Sequence, residues 1–211
     1  MRALLTSKWT KVLVFLLSSL PCALLVWRAF RADLGPNPVE TIQLATGDWS
    51  LRFLIFTLAI TPLRKLLNLP DLIRFRRMLG LFAFSYICLH FLIYLGPDQS
   101  FSLSGIWDDI YKRPFITVGF TAFLLLIPLA LTSTKGWIRR LGGKRWQMLH
   151  RSIYVAAVCA VIHFYWKVKS DVREPLFYAA LVAILLLWRL GDWLSKRRSA
   201  PAKAAMPNIP V

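Results

Sequence analysis

Long apolar stretches, several of them close to 20 residues with few or no charges, constrain this chain more than any other feature of its sequence. An α-helix of about that length crosses the roughly 30 Å hydrocarbon core of a bilayer. Hydrophobic residues make up 57% of the 211 residues, more than a soluble domain carries. Because only helices and closed barrels satisfy their backbone hydrogen bonds in lipid, we expect an all-α, polytopic membrane protein.

Hydropathy and length place six spans, and residues 1–195 are expected to form one six-helix bundle. The expected spans are 9–28, 50–67, 77–95, 114–132, 148–166 and 175–194. The segment 35–49, rich in turn-forming residues, is expected to be a loop before the second span. Residues 196–211 are expected to be a disordered tail. No internal repeat is evident.

Lysine and arginine are distributed unevenly between the loops, within a net charge of +17. The N-terminus, the loops after the second and fourth spans and the C-terminal tail are basic, whereas most acidic residues fall in the other loops. Cytoplasmic loops of membrane proteins carry the excess of Lys and Arg, so both termini are expected to be cytoplasmic. The positive charge therefore reflects topology, and no nucleic-acid partner is expected.

All three histidines fall within expected spans. His150 and His163 lie on the fifth span, separated by roughly 20 Å along the helix axis, so that one lies near each face of the membrane. His90 lies toward the outer end of the third span, which runs in the same direction as the fifth. His90 and His163 are therefore expected at the same depth. Two imidazoles on neighbouring helices are able to bind a haem iron from opposite sides.

Each histidine has an alternative interpretation as a core or interfacial side chain bonded to a backbone carbonyl. Three histidines in a medium where buried polar groups are costly favour haem instead. Zinc is less favoured, because no carboxylate or thiolate lies at a matching depth. Arg77, 13 residues before His90, and Arg151 are candidate contacts for haem propionates. The alternative for both arginines is a side chain that extends to the lipid headgroups.

Several segments resemble those of the ferric-reductase-like transmembrane superfamily and, more closely, its MsrQ (YedZ) family, over nearly the whole chain. That family comprises the haem-binding membrane subunits of the bacterial periplasmic methionine-sulfoxide reductase system. The segments are GPNPVETIQLATG, ITPLRK, IRFRRMLGLFAFSYICLHFLIY, KRPFITVGF and LTSTKGWIRRLGGKRWQMLHRSIYVAAVCAVIHFYW. The last two are specific in combination.

The resemblance implies an inner-membrane electron-transfer subunit that has no substrate-transforming site of its own. It implies haem b, one or two per chain, bound through the histidines corresponding to His90, His150 and His163, and it implies FMN. Electrons would come from the quinone pool or a cytosolic flavin reductase and pass to the periplasmic molybdopterin reductase MsrP, which repairs oxidised methionine. Oxidase-type relatives have four histidines in two pairs. Arg77 stands at the fourth position here, so His90 with His163 is the better supported pair.

Two other functions are compatible with the residues. A self-contained reductase of ferric or cupric ions would need an outward metal-binding patch, for which Asp98, Asp108 and Asp109 are the candidates. A transporter would need a polar pathway, and few acidic residues lie in the spans to line one. Neither a dinucleotide-binding glycine motif nor a P-loop is present, so any hydride donor is another molecule.

Overall fold

The computed structural model describes residues 5–198, and all the regular structure in that range is helical. The helices are α1 (Lys8–Phe30), α2 (Pro38–Leu66), α3 (Ile73–Ile93), α4 (Leu103–Lys112), α5 (Pro114–Leu131), α6 (Lys135–Leu141), α7 (Gly143–His150), α8 (Ser152–Lys167) and α9 (Arg173–Arg198). A 3₁₀ turn, Pro70–Leu72, precedes α3, and a π-helical turn, Tyr94–Asp98, follows it. The expected all-α fold is confirmed for the described residues.

Within residues 5–198, five helical segments are long and apolar enough to cross a membrane. They are Lys8–Phe30, Pro70–Asp98, Pro114–Leu131, Gly143–Lys167 and Arg173–Arg198. Each contains most or all of one expected span. The remaining expected span, 50–67, lies in α2, whose charged residues, Asp48 and Arg52 among them, make it less apolar. One apolar face of α2 is covered by other helices, since Leu54 and Leu58 are 2% and 0% exposed.

Helix α2 begins much earlier than expected. Asn37 caps it by accepting a hydrogen bond from the Glu40 N–H, and Pro38 takes the first helical position, where its missing N–H costs nothing. The interpretation of 35–49 as a loop is therefore wrong from Pro38 onward. The local signals for a helix start outweighed the turn-forming composition. About three extra turns result, and they carry Gln43 and Gly47 alongside α3.

Helix α1 is joined to the bundle by Tyr86 of α3. The Tyr86 hydroxyl donates to the Ser18 carbonyl and accepts from the Cys22 N–H, both at 3.0 Å. Ser18 and Cys22 are partners in a regular helix, so the hydroxyl enters the ladder where Pro21 interrupts it. Tyr86 thus binds α1, many of whose side chains are exposed, to the rest of the molecule.

Arg189 of α9 supplies a hydrogen bond that a proline removes from α2. Pro62 in α2 has no N–H, so the Leu58 carbonyl loses its usual helical donor. The Arg189 guanidinium donates to that carbonyl, donates to its own Leu185 carbonyl at 2.9 Å, and lies 5.5 Å from the centre of the Tyr154 ring. A cation inside a span is in this way surrounded by backbone acceptors and an aromatic face.

The connections contain short helices that were not expected. The amphipathic helix α4 is anchored through the buried Asp109, whose carboxylate accepts from Tyr94 and Gln99 and forms an ion pair with Arg113. Helices α7 and α8 are separated only by Arg151. Residues 196–198 of the expected tail are the end of α9, and 199–211 lie outside the described residues.

Candidate functional site

Two of the three histidines meet in the bundle. The ring centres of His90 on α3 and His163 on α8 are 6.2 Å apart, and their planes are inclined at 86°. Helix α3 packs against α2 and α5, and α8 packs against α5 and α9, whereas α3 and α8 barely approach one another along the described backbone. The two rings, which we call the histidine pair, therefore face each other across a gap between their helices.

Each ring of the histidine pair is held through Nδ1. His90 Nδ1 lies 2.8 Å from the Gln43 carbonyl oxygen, and His163 Nδ1 lies 2.7 Å from the Phe115 carbonyl oxygen. A carbonyl only accepts hydrogen bonds, so both Nδ1 atoms carry the proton and both Nε2 atoms keep a lone pair. Metal-binding histidines are held in the same way, with a carbonyl or carboxylate fixing the tautomer.

Glycines of α2 and α5 let these rings lie against helix backbone. A Cβ added at Gly47 would lie 3.0 Å from His90 Nδ1, and a Cβ added at Gly119 would lie 2.5 Å from His163 Nδ1. Each glycine follows its acceptor residue, Gln43 or Phe115, by four positions, which is about one helical turn. A carbonyl and a glycine one turn apart thus form the seat of each ring.

The two seats repeat along the chain. The acceptor precedes its histidine by 47 residues in one case and 48 in the other. The helix pair α2–α3 therefore corresponds to the pair formed by α5 and α8, which the sequence did not reveal. A hint of this correspondence in the sequence was that Gly47 precedes His90 by nearly the same number of residues as Gly119 precedes His163. The surrounding segments otherwise differ, and Gly47 lies in a stretch that we interpreted as a loop.

The geometry of the histidine pair fits a metal between the rings. Metal–imidazole bonds are about 2 Å long, so the ring centres of two ligands on opposite sides of one ion lie roughly 6 Å apart. The observed separation is 6.2 Å. Phe91, next to His90, packs against Phe120 and Phe123, and the Phe115 ring lies 5.9 Å from His163. Two neutral imidazoles in aromatic surroundings suit a haem iron, whose other four ligands come from the macrocycle.

His150 lies apart from the histidine pair and is held differently. Its ring stacks on Trp146 with centres 3.9 Å apart, and its Nε2 lies 3.0 Å from Thr132 Oγ1. The Thr132 hydroxyl donates its only hydrogen to the Pro128 carbonyl at 2.6 Å, so His150 Nε2 must be the donor in its contact with Thr132 Oγ1. In this conformation His150 keeps its lone pair on Nδ1, the opposite tautomer to the histidine pair.

The two arginines proposed from the sequence both have exposed side chains. Arg77 lies on α3 and Arg151 at the junction of α7 and α8. The neighbouring Arg76 is half-buried, and its positive charge acts on both His150 and Arg189. Among the described residues Arg76 has no hydrogen-bond or ion-pair partner. Spacing alone pointed to Arg77, because the 13-residue match with His150 and His163 falls there.

Acidic and basic groups of α2, α4 and α9 form several pairs. Arg52 donates to the Tyr178 hydroxyl at 2.8 Å and lies 3.9 Å from Asp48 and 3.8 Å from Glu174. Burial and the Glu174 carboxylate raise the pKa of Asp48. Asp108 pairs with Lys112 at 2.6 Å. Among residues 5–198, no group of three or more His, Cys, Asp or Glu side chains lies close enough to hold a metal ion, and the acids considered for a metal-ion patch form no such group.

The chain is similar to known proteins over most of its length. Residues 46–161 match the family described as ferric reductase like transmembrane component. The chain is 51% identical to a protein of Herminiimonas arsenicoxydans over 90% of this chain and 87% of the relative, and 46% identical to one of Caulobacter vibrioides over 89% of each. It is 50% identical to a protein of Rhodospirillum rubrum over 91% and 92%. All three are named protein-methionine-sulfoxide reductase heme-binding subunit MsrQ. No solved structure matches the chain.

Proposed function

The chain belongs to the ferric reductase like transmembrane family and, within it, to the haem-binding MsrQ subunits, and on that premise we propose that it carries electrons across the bacterial inner membrane to a periplasmic methionine-sulfoxide reductase. The observation that carries the proposal is the histidine pair. Its rings are 6.2 Å apart, both Nδ1 protons are bonded to carbonyls, and both Nε2 lone pairs are left for a metal.

His90 and His163 are the axial ligands of haem b in this proposal. When bound, haem supplies one-electron chemistry at its iron, with a potential set by the axial ligands and by burial. The Gln43 and Phe115 carbonyls fix the tautomer and the orientation of both imidazoles. The packed rings of Phe91, Phe120 and Phe123 keep water from this side of the site.

We propose that α2 is a sixth span and that both termini are cytoplasmic. The buried apolar face of α2 runs through the centre of the bundle, and the basic loops alternate with the acidic ones along the chain. This orientation puts the histidine pair near the periplasmic face. The reductase MsrP would then bind on that side, close to the site from which electrons leave.

Electrons enter from quinol or from a cytosolic flavin reductase in this proposal, at the end of the bundle that holds His150 and Arg76. The Arg76 side chain, half-buried and without a described partner, suits an anionic group there. His150 is the candidate ligand of a second haem, with Arg77 and Arg151 as candidate propionate contacts. FMN is added on the strength of the family alone.

An absorption spectrum of the detergent-purified protein, expressed with haem supplied, tests the proposal. We expect a Soret band that His90→Ala or His163→Ala weakens strongly. His150→Ala is the comparison: haem content falls by about half if there are two haems and is unchanged if there is one. A wild-type protein without a Soret band would rule out the proposed function.

Electron delivery is tested separately from haem binding. The reduced protein should be reoxidised over many turnovers only when MsrP and methionine sulfoxide are both added. MsrP alone should accept no more than a stoichiometric amount of electrons, and methionine sulfoxide alone should accept none. Reduction of chelated ferric iron at a comparable rate without MsrP would favour a self-contained metal-ion reductase instead.

A further inference from the structure

We propose that Gly47 and Gly119 are positioning residues that fix the orientation of the two haem-ligating imidazoles, and that the two seats are unequal, with the His163 seat the tighter. This inference rests on the proposed haem function. It assigns a role to residues that touch neither iron nor macrocycle in the proposal, and that act only through the histidines they face.

Each seat constrains its ring in two ways. The carbonyl, one turn before the glycine, fixes the direction of the Nδ1–H bond. The bare helix backbone at the glycine then limits the tilt of the ring. Around Gly119 an added Cβ would meet His163 Nδ1, Cε1 and Cγ at 2.5, 2.9 and 3.0 Å, so much of one ring edge lies over that position.

The His90 seat leaves more room. An added Cβ at Gly47 would meet His90 Nδ1 at 3.0 Å and Cε1 at 3.1 Å, but Cγ only at 3.8 Å. A methyl group there therefore requires a shift of a few tenths of an ångström. At Gly119 the same methyl group overlaps Nδ1 itself, so the ring has to shift and its contact with the Phe115 carbonyl is disturbed. Because the imidazole is a rigid plane, Nε2 and its bond to iron move with it.

The alternative is that Gly47 and Gly119 matter only because a small residue lets two helices approach closely. Two other helical glycines are matched controls for that role. A Cβ at Gly80, on α3 with His90, would meet Thr57 at 3.5 Å, which is normal contact, and a Cβ at Gly191 on α9 would meet nothing within 4 Å. Alanine at either position is also favoured in a helix over glycine. Neither control contacts the histidine pair.

The test compares Gly119→Ala, Gly47→Ala, Gly80→Ala and Gly191→Ala in the full-length, detergent-purified protein. The readouts are the haem-to-protein ratio, the low-spin ferric EPR signal, which depends on the angle between the two imidazole planes, and the midpoint potential of the haem held by the histidine pair. We expect Gly119→Ala to lose this haem or to shift both signal and potential. Gly47→Ala should retain haem with a smaller shift, and both controls should match wild type.

Two outcomes would overturn the inference. One is a Gly119→Ala protein with wild-type haem content, EPR signal and potential. The other, decisive even if Gly119→Ala does not accumulate, is a Gly47→Ala protein indistinguishable from Gly80→Ala in the same readouts. Failure of the haem proposal looks different, because the wild-type protein itself would then lack the Soret band.

Discussion

Backbone carbonyls and one threonine assign opposite tautomers to the histidines of this chain. The Gln43 and Phe115 carbonyls accept hydrogen bonds from Nδ1 of His90 and His163. The Thr132 hydroxyl donates to the Pro128 carbonyl and therefore accepts from Nε2 of His150. A neutral imidazole binds metal through the nitrogen that keeps its lone pair. Ligation through Nε2 is thus prepared at the histidine pair, while at His150 it first requires the ring to leave Thr132.

We predict that Arg189 stabilises the protein mainly by compensating for Pro62, and a double-mutant cycle tests this coupling. Arg189→Met removes the donor to the Leu58 carbonyl, and we expect it to cost about 1–3 kcal/mol of stability. Pro62→Ala restores a helical N–H for that carbonyl, so the cost of Arg189→Met should be smaller in the Pro62→Ala background. Thermal unfolding of the four proteins in detergent measures the difference.

Arg197→Met is the control for the Arg189 cycle, because the Arg197 guanidinium lies on the exposed end of α9 over Trp193. It should change stability little in either background. An equal cost of Arg189→Met with and without Pro62 would show that the arginine serves its other contacts, the Leu185 carbonyl and the Tyr154 ring, rather than the proline-freed carbonyl.

The meeting of His90 and His163 could be predicted from the sequence, but their seats could not. Span length and the direction of alternate helices place His90 and His163 at one depth. The carbonyls that hold them belong to Gln43 and Phe115, and a backbone acceptor is present at every residue. Their glycines are equally uninformative alone. Only tertiary structure shows that Gly47 and Gly119 lie under imidazole rings.

At the scale of elements, α4 is the part whose attachment depends on one side chain. Asp109 is 8% exposed, accepts from Tyr94 and Gln99 and forms an ion pair with Arg113, and these contacts bind α4 to the π-helical turn after α3. Asp109→Ala leaves these donors without their acceptor, at about 1–3 kcal/mol for each buried group. We expect faster hydrogen exchange across residues 99–113, with the haem spectrum unchanged.

Asp108→Ala is a closely matched control for the anchor of α4. Asp108 is the adjacent residue, but it is exposed and pairs only with Lys112 one turn later, a contact worth little at a surface. Exchange across 99–113 should stay at the wild-type rate in this variant. If both variants exchanged alike, or if Asp109→Ala left exchange unchanged, the anchoring role of Asp109 would be wrong.

Hydropathy located α1, α3, α5, α8 and α9 well, because lipid-facing helices must be apolar along their whole length. It was less informative for α2 and α4. Helix α2 buries more side chains than any of those five helices does, so its sequence tolerates Asp48, Arg52 and a polar first half. The short, amphipathic α4 has no long apolar run to detect. In both cases capping residues, Asn37 and Ser102, were the better signal.

At the scale of the whole molecule, the repeated seats explain why the histidine pair joins two helix pairs. Helices α2 and α5 each supply a carbonyl and a glycine, and α3 and α8 each supply a ring. The 13-residue spacing from Arg77 to His90 and from His150 to His163 follows the same correspondence. A second site at the other end would therefore pair unlike residues, which makes the two ends of the molecule chemically distinct.

Labelling of single introduced cysteines tests which end of the bundle faces the cytoplasm and whether α2 crosses the membrane. The starting protein has Cys22, Cys88 and Cys159 replaced by alanine. Asp33 and Leu67 flank α2, and Ser104 and Lys144 lie in later connections; all four are exposed. With a membrane-impermeant maleimide on cells whose outer membrane is permeabilised, cysteines at 33 and 104 should react, and those at 67 and 144 only after lysis. The reverse pattern would invert the direction of electron flow. Equal reactivity at 33 and 67 would mean that both ends of α2 lie on the same side of the membrane, which would contradict the proposal that α2 is a sixth span.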